Sequence, residues 1–142
     1  MLIECRPALD PELAALVTAQ QRELAEAGTG AGDRIFQPSD DAAYLVGAVN
    51  SRAVACGAWQ PLEPGAAELK RMYVRPAFRG RGLARQMIVA IEEEALAAGF
   101  PVIRLDTGCL PAAIALFQSA GYQPIPALGR YAFEKRLPAL VQ

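Results

Sequence analysis

Apolar and polar positions alternate along two neighbouring runs, Ala43 to Val49 and Arg52 to Gln60, and Asn50-Ser51 between them makes a tight antiparallel hairpin connection. Elsewhere the apolar period lengthens to that of a helix. Leu13, Leu16, Val17 and Leu24 recur at helical spacing behind an Asp10 cap and Pro11, predicting a helix from Pro11 to Ala27 that ends at Gly28. Leu83, Met87, Ile88, Ile91 and Leu96 form a second stripe, with Arg85, Gln86, Glu92 and Glu93 placed off it, in a helix from Gly82 stopped by Gly99 and Pro101. A third helix starts at Pro111, turns Ile114, Leu116 and Phe117 inward and ends at Gly121.

The remaining apolar runs read as strands: Met1 to Cys5, Ala67 to Val74 after the turn Pro61 to Gly65, Val102 to Leu105, Tyr122 to Ile125, and Tyr131 to Leu137 after the turn Pro126 to Gly129. Gly28 to Asp41 reads as a loop. The order predicts one mixed α/β (α+β) domain over residues 1–142, mostly antiparallel, with a single parallel βαβ unit in the middle.

Composition narrows the chemistry. With 53% hydrophobic residues, 20% charged residues and a net charge of −1, the 142-residue chain is a globular composition without a broad basic footprint, so nucleic acid is excluded as an expected partner. No apolar run reaches membrane-spanning length and no leader pattern is present, which gives the expectation of a cytoplasmic protein without a membrane partner. Cys5, Cys56 and Cys109 fit neither a disulfide framework nor a zinc spacing. The absence of histidine removes Ser-His-Asp and Cys-His relays and most catalytic zinc sites, leaving carboxylates, tyrosines, thiols, lysines or water for proton transfer.

One stretch has no value for core building. The strand ending at Val74 runs through Arg75-Pro76-Ala77-Phe78 into Arg79-Gly80-Arg81-Gly82, which opens the second helix. Unpaired N–H groups at a helix N-terminus, glycines without Cβ and two arginines suit a phosphate or pyrophosphate. A solvated turn whose arginines keep it soluble is the alternative. The dinucleotide fingerprint fails for want of a third glycine after Gly80-x-Gly82, and the Walker pattern fails for want of Gly-Lys-Ser/Thr.

Arg79-x-x-Gly82-x-Ala84 resembles the Arg/Gln-x-x-Gly-x-Gly/Ala acyl-CoA loop of the GNAT N-acetyltransferase superfamily. The resemblance extends through Glu68-Leu69-Lys70-Arg71-Met72-Tyr73-Val74 and Arg75-Pro76 before it, and Leu105-Asp106-Thr107-Gly108 and Ala113-Ile114-Ala115-Leu116-Phe117-x-x-x-Gly121-Tyr122 after it. It implies the GNAT fold, a mixed, mostly antiparallel sheet whose parallel strands splay around acetyl-CoA, and direct transfer of an acetyl group to a primary amine of a small molecule, amino acid or peptide. It also implies that pyrophosphate lies on the backbone of Arg79, Gly80, Arg81, Gly82, Leu83 and Ala84. Pantetheine would follow Met72, Tyr73 and Val74, and a backbone N–H near Val74 would polarise the thioester carbonyl. Dimers are frequent in the superfamily, which extends the expectation to a homodimer.

An ammonium with a pKa of about 10.4 attacks only after losing a proton. Glu68 precedes the loop by the spacing of the glutamate base in the histone-acetyltransferase branch; a strand-edge carboxylate paired with Lys70 or Arg71 is its other reading. The tyrosine that protonates the leaving thiolate in many members is replaced by Phe117, which is assigned to the cofactor side. Tyr122, Tyr131, Tyr73 or solvent could take its place, and Tyr122 is carried as the candidate. Leu110 stands near the place of an asparagine common there, and Cys109 reads as an inert thiol. Trp59, Phe36, Asp33, Asp40 and Asp41 are candidates for an acceptor pocket, with core or loop packing as their alternative. The missing acid also motivates a second reading, a non-catalytic acyl-CoA-binding or regulatory module on the same fold.

Overall fold

Asp10 caps the first helix as the sequence predicts: its carboxylate accepts from the Leu13 N–H at 2.9 Å, a contact worth about 1 kcal/mol. The computed structural model describes residues 1–28, 41–107, 111–128 and 131–138. Helices α1 (Pro11–Glu26), α2 (Leu83–Ala97) and α3 (Pro111–Ser119) accompany strands β1 (Leu2–Arg6), β2 (Ala43–Val49), β3 (Arg52–Glu63), β4 (Ala66–Val74), β5 (Val102–Leu105), β6 (Gln123–Leu128) and β7 (Tyr131–Arg136). The seven strands make one sheet in the order β1-β2-β3-β4-β5-β7-β6, antiparallel except for the β4/β5 pair.

Adjacent residues of a strand point to opposite faces, and the two long helices use this division. Leu13, Leu16 and Val17 of α1 pack on Tyr44, Val46, Cys56, Ala58 and Tyr73. Met87, Ile88, Ile91 and Ala95 of α2 pack on Leu45, Ala55, Trp59, Ala67, Leu69 and Val74. Tyr44 and Leu45 are neighbours in β2, so α1 and α2 cover opposite faces.

The hairpin turn Asn50-Ser51 has φ of 50° and 69°, the pair of positive values that a two-residue hairpin of this twist requires. Two boundaries and one burial differ from the periodic reading. β3 continues through Pro61 to Glu63 with a register shift there, so the turn falls at Pro64-Gly65, where Gly65 has φ of 81°. β6 runs to Leu128 across the expected Pro126 to Gly129 turn, also with an irregular register. Glu92, expected off the apolar stripe, is buried.

The parallel pair is short. Only Ala66, Ala67 and Glu68 of β4 are in register with Val102, Ile103 and Arg104 of β5. β4 then continues with β3, whereas Leu105 of β5 pairs with Phe133 of β7. The divergence coincides with a bulge: the register passes from Ala58↔Lys70 to Cys56↔Tyr73, setting Arg71 and Met72 against Gly57 alone. Arg71 has φ of 58°, and its carbonyl accepts from the Cys56 thiol at 3.3 Å. A Cβ on Gly57 would stand 2.6 Å from Ile91 Cδ1, so this glycine lets α2 close onto the bulge.

Candidate active site

The divergence leaves one edge of β4 facing a gap, and the ladder says which backbone groups face it. Arg75 N–H donates to Val54 O at 2.8 Å while Ala55 stands opposite Val74, which makes Ala55/Val74 a non-hydrogen-bonded pair. The Val74 amide and carbonyl are therefore directed away from β3, toward the side that β5 has left. That carbonyl accepts from Arg79 Nε at 2.9 Å.

Beyond Val74 a single 3₁₀ turn, Pro76–Phe78, leads to the glycines. Gly80 and Gly82 have φ of 78° and 77°, and an added Cβ would meet nothing within 4 Å at either. They are needed for the left-handed backbone rather than for space. Gly82 caps α2, and its carbonyl accepts from the Gln86 N–H at 3.2 Å, so the amides of Leu83, Ala84 and Arg85 precede the helical ladder at the positive end of the dipole. A cavity of about 220 Å³ lies here, bounded by Val74, Phe78, Arg79, Gly80, Gly82, Leu83, Ala84, Arg85 and Leu116. Its free donors are backbone amides, with two arginines and no carboxylate among the lining residues, a set that fits a diphosphate.

Around the cavity the arginines are committed to protein partners. Arg79 Nη2 meets both Glu23 oxygens, at 2.9 and 2.8 Å, and its guanidinium lies 5.6 Å from the Tyr73 ring centroid. Arg81 and Arg52 stack on Phe78 at 5.2 and 5.6 Å. Arg85 hydrogen-bonds Ser119 and so ties the start of α2 to the end of α3.

Glu68 lies at the last paired position of the parallel ladder and is 6% exposed. In-register partners place Gln60, Glu68, Arg104 and Glu134 in one row across β3, β4, β5 and β7, on the face that α1 covers farther along. Arg104 Nε donates to Glu134 at 2.9 Å and its Nη1 to Glu63 at 2.8 Å, and those bonds, Glu134 first, raise its already high pKa. Lys70 donates to Gln60, whose amide reaches Asp41 at 3.3 Å. A carboxylate buried in a polar row at the closed end of a gap is chemically equipped to take a proton from a group held there.

Other expectations are redistributed. Tyr122 is 1% exposed, and its hydroxyl donates to Glu92 Oε2 at 2.8 Å while Lys135 approaches the same carboxylate at 3.0 Å. Burial, then the charge of Glu92, push its pKa up, and the hydroxyl is turned into the core toward Glu92. Phe117 stacks edge-on against Tyr122 at 5.5 Å, and Leu116 lines the cavity in its stead. Trp59 packs against Phe100 on the α2 face, opposite Glu68, which is the core packing given as its alternative. Tyr73 holds Glu23 at 3.5 Å on the α1 face, with its pKa raised by burial and then by that carboxylate. Asp33, Phe36, Asp40, Cys109, Leu110 and the Tyr131 side chain lie outside the described residues. Among the described residues no three acidic, cysteine or histidine side chains could hold a metal ion, and no helix is long and apolar enough to cross a membrane.

Val74, expected at the thioester carbonyl, and Glu68, expected as the base for the attacking amine, are six residues apart on one strand with the bulge between them, up to roughly 20 Å at about 3.3 Å per residue. That span is too great for both to act on one carbon. The sequence reading also missed Glu23, Gln20 and the bulge. Glu23 and Gln20 sit on the polar side of α1, and periodicity carries no sign of what that side meets. The Gln20 amide donates to Met72 O at 2.9 Å.

Residues 13–122 match the Acetyltransferase (GNAT) family. An "IAA acetyltransferase" of Azospirillum brasilense is 38% identical over 93 residues, 64% of this chain and 61% of that protein. The E. coli protein YjgM, an uncharacterized N-acetyltransferase, is 38% identical over 92 residues, 61% of this chain and 55% of its own length. The matches thus span little more than half of these relatives. A Klebsiella pneumoniae structure assigned as an acyl-CoA N-acyltransferase superposes with a TM-score of 0.77 at 30% identity, covering 96% of this chain and 97% of that one. The PaiA N-acetyltransferase of Thermoplasma acidophilum, solved with coenzyme A, shares the fold at a TM-score of 0.69 and 17% identity, covering 96% and 99% of the two chains. With its splayed parallel pair, glycine-opened helix and matched sequence, the chain belongs to the GNAT acetyltransferase family.

Proposed function

We propose that the protein transfers an acetyl group from acetyl-CoA to a primary amine of a small molecule, amino acid or peptide. The observation that carries this reading is the coincidence, at one gap between β4 and β5, of the Val74 amide, the open N-terminus of α2 and, at the closed end, Glu68. Acetyl-CoA supplies the activated thioester. The amides of Leu83, Ala84 and Arg85 would hold its diphosphate, and the Val74 amide would hold the amide chain of its pantetheine rather than the reacting carbonyl, which would fall nearer the bulge at Met72. Glu68 removes the proton from the incoming ammonium, directly or through one water.

Among the described residues no side chain beside the cavity is a ready acid for the departing thiolate, since Phe117 has no proton to give and Tyr122 is held by Glu92. A thiol of pKa about 8.5 leaves without one at modest cost, because its anion is a weak base. The alternative, a module that binds acyl-CoA without turnover, rests on the same missing acid. Free thiol is followed while the protein is mixed with acetyl-CoA and a panel of amines, alongside calorimetry with acetyl-CoA. Amine-dependent thiol release is expected. Binding without release across the panel would favour the non-catalytic module, and neither binding nor release would end the donor reading.

A further inference from the structure

The residue that opens the glycine turn is not turned toward a phosphate. Arg79 makes three contacts at once: Nε on the Val74 carbonyl at 2.9 Å, Nη2 on both oxygens of Glu23 at 2.9 and 2.8 Å, and its plane over Tyr73 at 5.6 Å. Glu23 belongs to α1, on the opposite face of the sheet from α2. Three residues earlier on α1, one turn away and on the same side, Gln20 donates to Met72 O at 2.9 Å. α1 therefore grips β4 at two points, and both lie on the stretch that has parted from β5.

We propose that Arg79 is a positioning residue: it clasps Glu23 of α1 to the Val74 peptide, fixing the splayed end of β4, and its side chain does not bind the donor's diphosphate. A guanidinium has a planar fork, so one edge can serve the carbonyl while the other serves the carboxylate. An ammonium cannot span both. The carbonyls of Met72 and Val74 are capped by side chains of this chain, which keeps the Val74 amide as the group that the gap offers to a ligand. The inference rests on the acyl-CoA reading, and it divides labour within the turn: backbone amides take the phosphates, and Arg79 holds the strand.

Coenzyme A and pantetheine separate the two roles, because pantetheine lacks the diphosphate. Calorimetry on the intact chain is run for wild type, Arg79→Gln, Arg79→Lys, Glu23→Gln and the double variant Glu23→Gln/Arg79→Gln. A clasp predicts that Arg79→Gln weakens both ligands by the same factor, roughly three- to tenfold, that Glu23→Gln and Arg79→Lys do likewise, and that the double variant loses no more than either single one. Amide exchange of the ligand-free protein should quicken at the end of α1 in all four variants. Loss of coenzyme A affinity with pantetheine unchanged, retention of coenzyme A affinity by Arg79→Lys, or tighter coenzyme A binding by Glu23→Gln would overturn the inference and leave the donor reading standing. A wild type that binds neither ligand would overturn both.

Discussion

The Tyr122 hydroxyl donates to Glu92 at 2.8 Å, inside the contact between α2 and the chain that follows α3. Lys135 completes the group at 3.0 Å from Glu92 and lies 5.6 Å from the Tyr122 ring centroid. Each member satisfies another, so the cluster ties α2 to β7 and to the chain that follows α3.

Tyr122→Phe removes one hydrogen bond and leaves Glu92 its lysine partner. A loss of about 1–2 kcal/mol in urea unfolding is expected, with kcat within about threefold of wild type. A fall in kcat of a hundredfold at unchanged stability would return Tyr122 to the role of acid.

Glu68→Gln keeps the shape and hydrogen-bonding capacity of the side chain but cannot accept a proton as a base. The expected outcome is a kcat reduced by about 10²–10³-fold with coenzyme A affinity unchanged by calorimetry. An equal loss in both quantities would identify Glu68 as a structural member of the polar row.

The glycines divide by cause. Gly82→Ala strains a left-handed residue with open space around it, costing roughly 1–2 kcal/mol and weakening coenzyme A binding through the displaced helix start. Gly57→Ala forces its methyl onto Ile91 and should cost about 1–3 kcal/mol by overpacking while disturbing the bulge. Urea unfolding with parallel calorimetry tests the pair, and a neutral Gly57→Ala would show that α2 is not seated as described.

Cys5 and Cys56 should be slow to alkylate for different reasons. The hydrogen bond to Glu94 pushes Cys5 up to about 11, whereas burial pushes Cys56 up to about 12. At pH 8 about one Cys5 in a thousand is thiolate, so labelling by iodoacetamide, read by peptide mass spectrometry, should rise steeply between about pH 9 and 11. Glu94→Gln removes the anion that opposes ionisation and should bring the rise to lower pH. Cys56 should remain unlabelled in both proteins, being fully buried.

Much of the fold was legible because its signals are local. Asp10, Pro11 and Gly28 bound α1 through backbone hydrogen bonds and dihedral angles that neighbouring residues set, and Gly80 and Gly82 declare a left-handed turn wherever they occur. The hairpin at Asn50-Ser51 is equally local. Glu92 was misplaced because a stripe marks the centre of a helix face and not its width: Glu92 follows Ile88 by four residues and precedes Ala95 by three, within the arc that packs. The surroundings of Tyr122 and Trp59 were not legible, because their sheet face and partners depend on residues about 30 to 40 positions away.

The chain by itself determined the order of elements, the glycine turn and the family, since each follows from residue types at fixed spacing. Tertiary structure decided where β4 leaves β5, because that depends on a bulge opposite Gly57 and on the close approach of Ile91. It also set Phe117 against Tyr122 and Leu116 beside the cavity, placed Glu68 and Val74 at opposite ends of the gap, and gave Arg79 to Glu23. Electrostatic partners and packing across a sheet are properties of distance in space, which the linear order of residues does not encode.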